Sequence, residues 1–162
     1  MKKIRVETSK CTGCRLCELA CSFEKYSEFK PSVSFIGVEK WEKDCVYVPF
    51  TCQQCEIAMC EEVCPVQAIS RKGEEGVLTV DQDRCLGCRL CSQACPFGVM
   101  VFNSKKKVMA KCDLCEGKPR CVDICPAEAL VYEEEEKSVA GRRREGVKRL
   151  ADLLHLVEGR SK

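Results

Sequence analysis

The chain has 162 residues, 32% charged and 45% hydrophobic, with 27 Lys and Arg against 25 Asp and Glu for a formal net charge of +2. That composition excludes a disordered or low-complexity chain, and the longest apolar stretch, Phe97 to Phe102, falls far short of the about 18 to 20 residues of a membrane span. The anomaly is 17 cysteines in a chain that shows no apolar h-region or small-residue cleavage site before Cys11; this predicts a cytoplasmic protein in which clustered cysteines bind metal rather than each other.

The first predicted feature is a group of cysteines at Cys11, Cys14, Cys17 and Cys21, with Gly13 where the intervening loop must turn. An insert from Ser22 to Thr51 follows, in which Val46-Tyr47-Val48-Pro49-Phe50 alternates as a strand does. Its single tryptophan, Trp41, is expected to be core or interface filler. Cys45 is expected to be a small buried hydrophobe beside strand residues and not a ligand.

The second group is Cys52, Cys55, Cys60 and Cys64, ending in Pro65. Ser70 to Arg84 reads as a hairpin with Gly73 and Gly76 at its turn and Val77-Leu78-Thr79-Val80 as a strand. The third group, Cys85, Cys88, Cys91 and Cys95, contains Gly87 and ends in Pro96. Val99 to Phe102 and Val108 to Ala110 then flank a charged tip, a second hairpin, before the fourth group of Cys112, Cys115, Cys121 and Cys125 with Pro126. A proline after the last cysteine suits the first turn of a short helix, so residues 66–69, 97–100 and 127–130 are predicted to run from such a turn into a strand. Ser22 replaces that proline in the first group, whose helix is expected to start differently.

The tail has another character. Val147, Leu150, Leu154 and Val157 recur at helical spacing, with Ser138 as a possible N-cap and Gly159 as a possible stop, so residues 137–162 are predicted to form an amphipathic helix. These residues carry a net +5, leaving −3 for residues 1–136. His155, the only histidine, stands far from every cysteine group and is given a surface or packing role. Arg142-Arg143-Arg144 has no aromatic platform or DNA-reading motif beside it, so it reads as a solvated run and not as a nucleic-acid site.

Groups one and three have the spacing C-x2-C-x2-C-x3-C, while groups two and four widen the middle gap to x4 and x5. This is the bacterial ferredoxin run, in which three close thiolates hold one cubane and the fourth reaches to the other cluster of a pair. Sixteen such cysteines imply four [4Fe-4S] clusters, with Cys45 left over. Zinc ribbons also use C-x2-C knuckles, but they separate two knuckles by a long spacer instead of placing four cysteines within 11 to 14 residues. The expected fold is α+β: two fused ferredoxin-like modules, an inner one over about 50–100 and an outer one from the groups at 11–21 and 112–125, together spanning 1–136. The insert is expected to cover the outer clusters. Spacing alone does not decide which groups pair. At about −2 per oxidised cubane, the body reaches about −11 and the whole chain about −6, which predicts low potentials for most clusters.

From residue 8 to 132 the pattern resembles the four-cluster electron-transfer subunits of molybdenum and tungsten bis-pterin oxidoreductases, on the x4 gap of Cys55 to Cys60 and the x5 gap of Cys115 to Cys121. The opening Lys10-Cys11-Thr12-Gly13-Cys14-Arg15-Leu16-Cys17-Glu18-Leu19-Ala20-Cys21-Ser22-Phe23 is most similar to small subunits of tungsten enzymes of the aldehyde:ferredoxin oxidoreductase family, the tungsten-dependent benzoyl-CoA reductase among them. The resemblance implies four ligand sets: Cys11, Cys14, Cys17 and Cys125; Cys112, Cys115, Cys121 and Cys21; Cys52, Cys55, Cys60 and Cys95; Cys85, Cys88, Cys91 and Cys64. It further implies a non-catalytic electron-transfer subunit in a hetero-oligomer, with a larger tungsten (or molybdenum) pterin catalytic subunit and an external ferredoxin or other donor or acceptor as partners. A free-standing polyferredoxin carrier and a subunit of a formate dehydrogenase or hydrogenase complex are the alternatives, since all use the same cysteine grid.

Overall fold

The computed structural model describes residues 2–73 and 76–134. Lys2–Glu133 form one compact unit. The tail helix expected over 137–162, with Ser138, His155, Arg142 to Arg144 and Gly159, lies outside the described residues.

The fold is a small mixture of helices and strands, as expected. Among the described residues, eight strands form four two-stranded sheets: β1 (Lys2–Val6) with β8 (Leu130–Glu134), β2 (Ile36–Trp41) with β3 (Val46–Thr51), β4 (Ile69–Lys72) with β5 (Val77–Val80), and β6 (Val101–Asn103) with β7 (Val108–Ala110). The middle three pairs are antiparallel hairpins. The β4–β5 and β6–β7 hairpins and strand β3 were legible from alternation and turn residues; β2 and its pairing with β3 were not, nor was β1, a five-residue strand that carries no flanking turn signal. In the β2–β3 hairpin Gly37 stands opposite Phe50, and a Cβ there would lie 2.4 Å from the ring, so the hairpin needs its smallest residue at that place.

Among the described residues there are four α-helices, α1 (Leu16–Tyr26), α2 (Met59–Glu62), α3 (Leu90–Ala94) and α4 (Arg120–Asp123), besides short 3-10 turns. α1 packs on α4, and α2 on α3. The three short helices carry the third cysteine of their groups, Cys60, Cys91 and Cys121, and end before the Cys-Pro pair. This corrects the expectation that proline opens a helix. Pro65, Pro96 and Pro126 follow the helix end, where a residue without an N–H stops the ladder, and a tight turn leads on to the strand. α1 does differ, as Ser22 foreshadowed: with no proline after Cys21, the helix runs through both Cys17 and Cys21 for 11 residues. Ser22 is wholly buried, its hydroxyl donating to the Leu19 carbonyl at 3.0 Å and accepting from the Lys30 N–H at 3.1 Å.

Two apolar clusters form the core. One joins Ile4, Phe35, Ile36, Leu114 and Leu130 with Cys17, Cys21, Cys52, Cys112 and Cys121; the other joins Ile69, Leu78, Met100 and Met109 with Cys91. Cysteines therefore stand where a domain of this size would otherwise place aliphatic side chains. Trp41 is 48% exposed at the end of β2, which overturns its reading as core. Cys45 is also exposed, against the expected burial: it sits at φ 52° in the tight connection between β2 and β3, where a left-handed residue turns the chain outward.

Candidate metal centres

Every cysteine group begins with the same local geometry. The second residue between the first two cysteines takes a left-handed conformation in all four: Gly13 (φ 67°), Gln54 (φ 50°), Gly87 (φ 66°) and Leu114 (φ 58°). That turn folds the first two thiols toward the same side. In groups one and three a second left-handed residue, Arg15 or Arg89, then opens the helix bearing the third cysteine. After the fourth cysteine, Gln67, Gly98 and Glu128 are again left-handed, and each donates its N–H to the carbonyl of that cysteine, at 3.1, 3.2 and 3.2 Å.

These turns also point backbone N–H groups at sulfur. Ala68 donates to Cys64 Sγ at 3.2 Å and Ala129 to Cys125 Sγ at 3.3 Å, each from the residue after the left-handed one. Phe35 donates to Cys21 Sγ at 3.3 Å, Met109 to Cys85 Sγ at 3.4 Å and Gln54 to Cys52 Sγ at 3.5 Å. Such donors stabilise a thiolate and tune an iron–sulfur centre.

The cysteines come together across groups. Cys11, Cys14, Cys17 and Cys125 line one cavity, over which Val38 and Pro49 of the insert also lie. A second cavity is lined by Cys21, Cys112, Cys115 and Cys121, with Phe35, Ile36 and Thr51 of the insert against it. In the inner half, burial pushes the Cys60 thiol up, and the charges of Cys52, Cys95 and Cys55 add to that while Lys111 opposes it. Burial also pushes Cys91 up to about 11, with Cys85, Cys60 and Cys88 as the neighbouring charges. Cys64 packs in the same apolar cluster as Cys85 and Cys91. Among the described residues Cys45 joins none of these groupings, and its thiol faces the Glu42 carbonyl at 3.8 Å.

Neighbouring groupings lie close enough to influence one another's thiols. Burial pushes Cys121 up, followed by Cys112, Cys21 and Cys115, and then by Cys17 of the first cavity. Cys112, pushed up to about 12 by burial, also feels Cys52, and Cys91 feels Cys60. Cys11, Cys17, Cys21, Cys52, Cys112, Cys121 and Cys125 belong to one apolar cluster and Cys60, Cys64, Cys85 and Cys91 to the other, with Cys95 packed against both.

Buried thiols with raised pKa values need a strong Lewis acid to become thiolates, and each grouping offers sulfur ligands backed by N–H donors in an apolar wall. That donor set fits a [4Fe-4S] cubane, which is held by four thiolates. Among the described residues, no three His, Cys, Asp or Glu side chains are gathered around a point that could hold a single ion.

The chain matches the family described as "4Fe-4S dicluster domain" over residues 43–135 and that described as "4Fe-4S binding domain" over residues 8–24. It belongs to the 4Fe-4S ferredoxin family. The B subunit of the anaerobic dimethyl sulfoxide reductase of Escherichia coli (strain K12) is 39% identical over 147 residues, covering 78% of this chain and 70% of that protein. "Aliphatic sulfonate oxidoreductase, polyferredoxin-like subunit" of Pyrococcus furiosus is 38% identical over 122 residues, covering 75% of this chain and 70% of that one. A solved structure, "Active site complex BamBC of Benzoyl Coenzyme A reductase in complex with Benzoyl-CoA", aligns with a TM-score of 0.49 at 24% identity over 94% of this chain and 91% of that one. This ferredoxin is an iron–sulfur electron-transfer protein related to oxidoreductase subunits, and four [4Fe-4S] clusters are its cofactors.

Sequence reasoning missed three residues of the ferredoxin's cluster surroundings. Glu18 is 3% exposed: its Oε1 accepts the Val38 N–H at 2.7 Å and its Oε2 accepts Arg15 Nε at 2.7 Å, beside Cys17. Together with burial, the Glu18 charge pushes the Cys17 thiol up to about 12. Gln54, fully buried, donates through Nε2 to the Cys112 carbonyl at 2.9 Å and accepts the Leu78 N–H at 2.9 Å. A glutamine at the place that two of the four repeats give to glycine was the available signal. Lys111, 4% exposed, had none beyond being a lysine in an apolar strand end.

Proposed function

We propose that this ferredoxin is the non-catalytic electron-transfer subunit of a larger tungsten-pterin oxidoreductase of the aldehyde oxidoreductase or benzoyl-CoA reductase kind. It would work in the cytoplasm, between that subunit and an external ferredoxin or other donor or acceptor. The carrying observation is that the four cysteine groupings pack into two apolar clusters joined by Cys95, which leaves no grouping isolated from the others. Bound [4Fe-4S] clusters supply one-electron redox chemistry. The protein contributes rigid spacing, N–H donors to sulfur and an apolar wall that excludes water, and it transforms no substrate itself.

The proposed ligand sets are Cys11, Cys14, Cys17 with Cys125; Cys112, Cys115, Cys121 with Cys21; Cys52, Cys55, Cys60 with Cys95; and Cys85, Cys88, Cys91 with Cys64. Shared cavities support the outer two sets. Mutual charge effects and a common apolar cluster support the inner two. The hetero-oligomeric role is supported by relatives named as one subunit of an oxidoreductase. Among the described residues no helix is long and apolar enough to cross a membrane.

A second reading, with a catalytic partner of the dimethyl sulfoxide reductase kind, is favoured by the 39% identity to the B subunit of that enzyme. Anaerobic affinity purification from the native host separates the two. Tungsten in stable proportion to a co-eluting large subunit supports the first reading and molybdenum the second. Iron alone with no partner refutes both and makes the protein a free carrier.

A further inference from the structure

We propose that Lys111 is the buried counter-ion of the cluster held by Cys52, Cys55, Cys60 and Cys95, and that its charge raises the reduction potential of that cluster above what the same ligands would otherwise give. The inference rests on the ligand reading above.

Lys111 ends the β7 hairpin one residue before Cys112 and is 4% exposed. Its ammonium donates to the Leu78 carbonyl at 2.6 Å. Among the described residues it forms no ion pair with a carboxylate. Two other cations beside the cysteine groupings differ in this respect. Lys25 pairs with Asp113 at 2.7 Å and Arg15 with Glu18 at 2.7 Å, so each presents a nearly neutral pair to its neighbouring thiols. An ammonium out of water with one neutral carbonyl is a costly arrangement unless a negative charge lies close by.

The surroundings supply one. Leu78, which accepts from Lys111, donates its own N–H to Gln54 Oε1 at 2.9 Å, and Gln54 sits in the loop between Cys52 and Cys55. One residue, Leu78, thus links the Lys111 ammonium to the loop that carries Cys52 and Cys55. A cubane with four thiolates carries about −2 when oxidised, and reduction adds one more negative charge. In a dry interior the attraction of a cation grows with that charge, so Lys111 favours the reduced state. Arg71 also reaches this loop, through the carbonyls of Cys55 and Glu56 at 2.5 and 2.9 Å, but it is only half-buried, so water screens its charge more than that of Lys111.

The test is an anaerobic redox titration of the full holoprotein, followed by electron paramagnetic resonance, on the unmodified protein, Lys111→Met and Lys111→Arg. Lys111→Met is expected to shift the one-electron equilibrium of one cluster at least tenfold toward oxidation, a fall of about 59 mV. Lys111→Arg keeps the charge and is expected to stay within threefold of the unmodified protein. The shifted signal must be the one that Cys55→Ser removes. No shift, an upward shift, an equal shift of all clusters, a shift of a different cluster, or the same shift in both Lys111 variants overturns the inference. If Lys111→Met instead loses about four irons, full iron in Lys111→Arg supports a charge role, and equal loss in both overturns it. Fewer than about sixteen irons in the unmodified protein would refute the ligand reading itself.

Discussion

Gly87 and Gly98 share a left-handed backbone, at φ 66° and φ 62°, yet alanine should cost very different amounts at the two places. The conformation is tolerable to a side chain, since Gln54 and Leu114 occupy the position equivalent to Gly87, and Gln67 and Glu128 that equivalent to Gly98. A Cβ at Gly98 meets nothing within 4 Å, so Gly98→Ala carries only the left-handed penalty, partly offset in the unfolded state, for a net of about 1 kcal/mol. A Cβ at Gly87 would lie 2.1 Å from the Lys107 carbonyl oxygen, and relief to 3.0 Å needs the β6–β7 hairpin to move by about 0.9 Å. Overpacking of that kind adds about 1 to 3 kcal/mol, giving a total of about 2 to 4 kcal/mol for Gly87→Ala. At about 4 °C per kcal/mol for a unit of this size, anaerobic thermal unfolding should fall by about 4 °C for Gly98→Ala and by about 8 to 16 °C for Gly87→Ala. The same displacement pulls the Met109 N–H from Cys85 Sγ, so Gly87→Ala should also shed iron that Gly98→Ala keeps. Equal melting points and equal iron contents would refute the argument that the Lys107 carbonyl, and not the backbone angle, demands glycine.

Glu18→Ala orphans the Val38 N–H and leaves Arg15 unpaired, a loss of about 2 to 4 kcal/mol, whereas Glu18→Gln retains an acceptor for Val38 and should cost less; chemical unfolding that ranks the two in the opposite order would contradict this account. Cys88→Ser should lose or alter one cluster while leaving most iron bound, and an unchanged spectrum and iron content would remove Cys88 from its ligand set. Removing all iron should melt the fold, because helices of 4 to 5 residues and separate two-stranded sheets are not stable alone; far-ultraviolet circular dichroism unchanged after chelation would show otherwise. Burial raises Cys17 and Cys112 from the ordinary 9.0 to about 12, so the proton competes with iron for these sulfurs as pH falls. Iron loss to a chelator should therefore be faster at about pH 6 than at about pH 8, and a rate independent of pH would contradict the raised values.

The amino-acid sequence alone carried the chemistry. Thiol spacing within each group is local, and a loop of two residues between cysteines admits few conformations, so the four groups, the turn glycines Gly13 and Gly87 and the β4–β5 and β6–β7 hairpins were legible, while strand β2 was not. Local pattern failed where a distant neighbour decides. Proline at 65, 96 and 126 reads equally as a helix opener or a helix stop, and only the packing of α2 on α3 and of α4 on α1 places the helix before it. Cys45 looks like a strand residue until the β2–β3 register puts it at the tip. The tertiary structure alone brought Cys125 to Cys11 and Cys21 to Cys112, since nothing in a run of spacings encodes contacts more than 90 residues apart. It also decided which charges matter: Arg15 and Lys25 meet carboxylates, while the fold buries Lys111 with none, and a charge acts on a cluster only where water does not screen it.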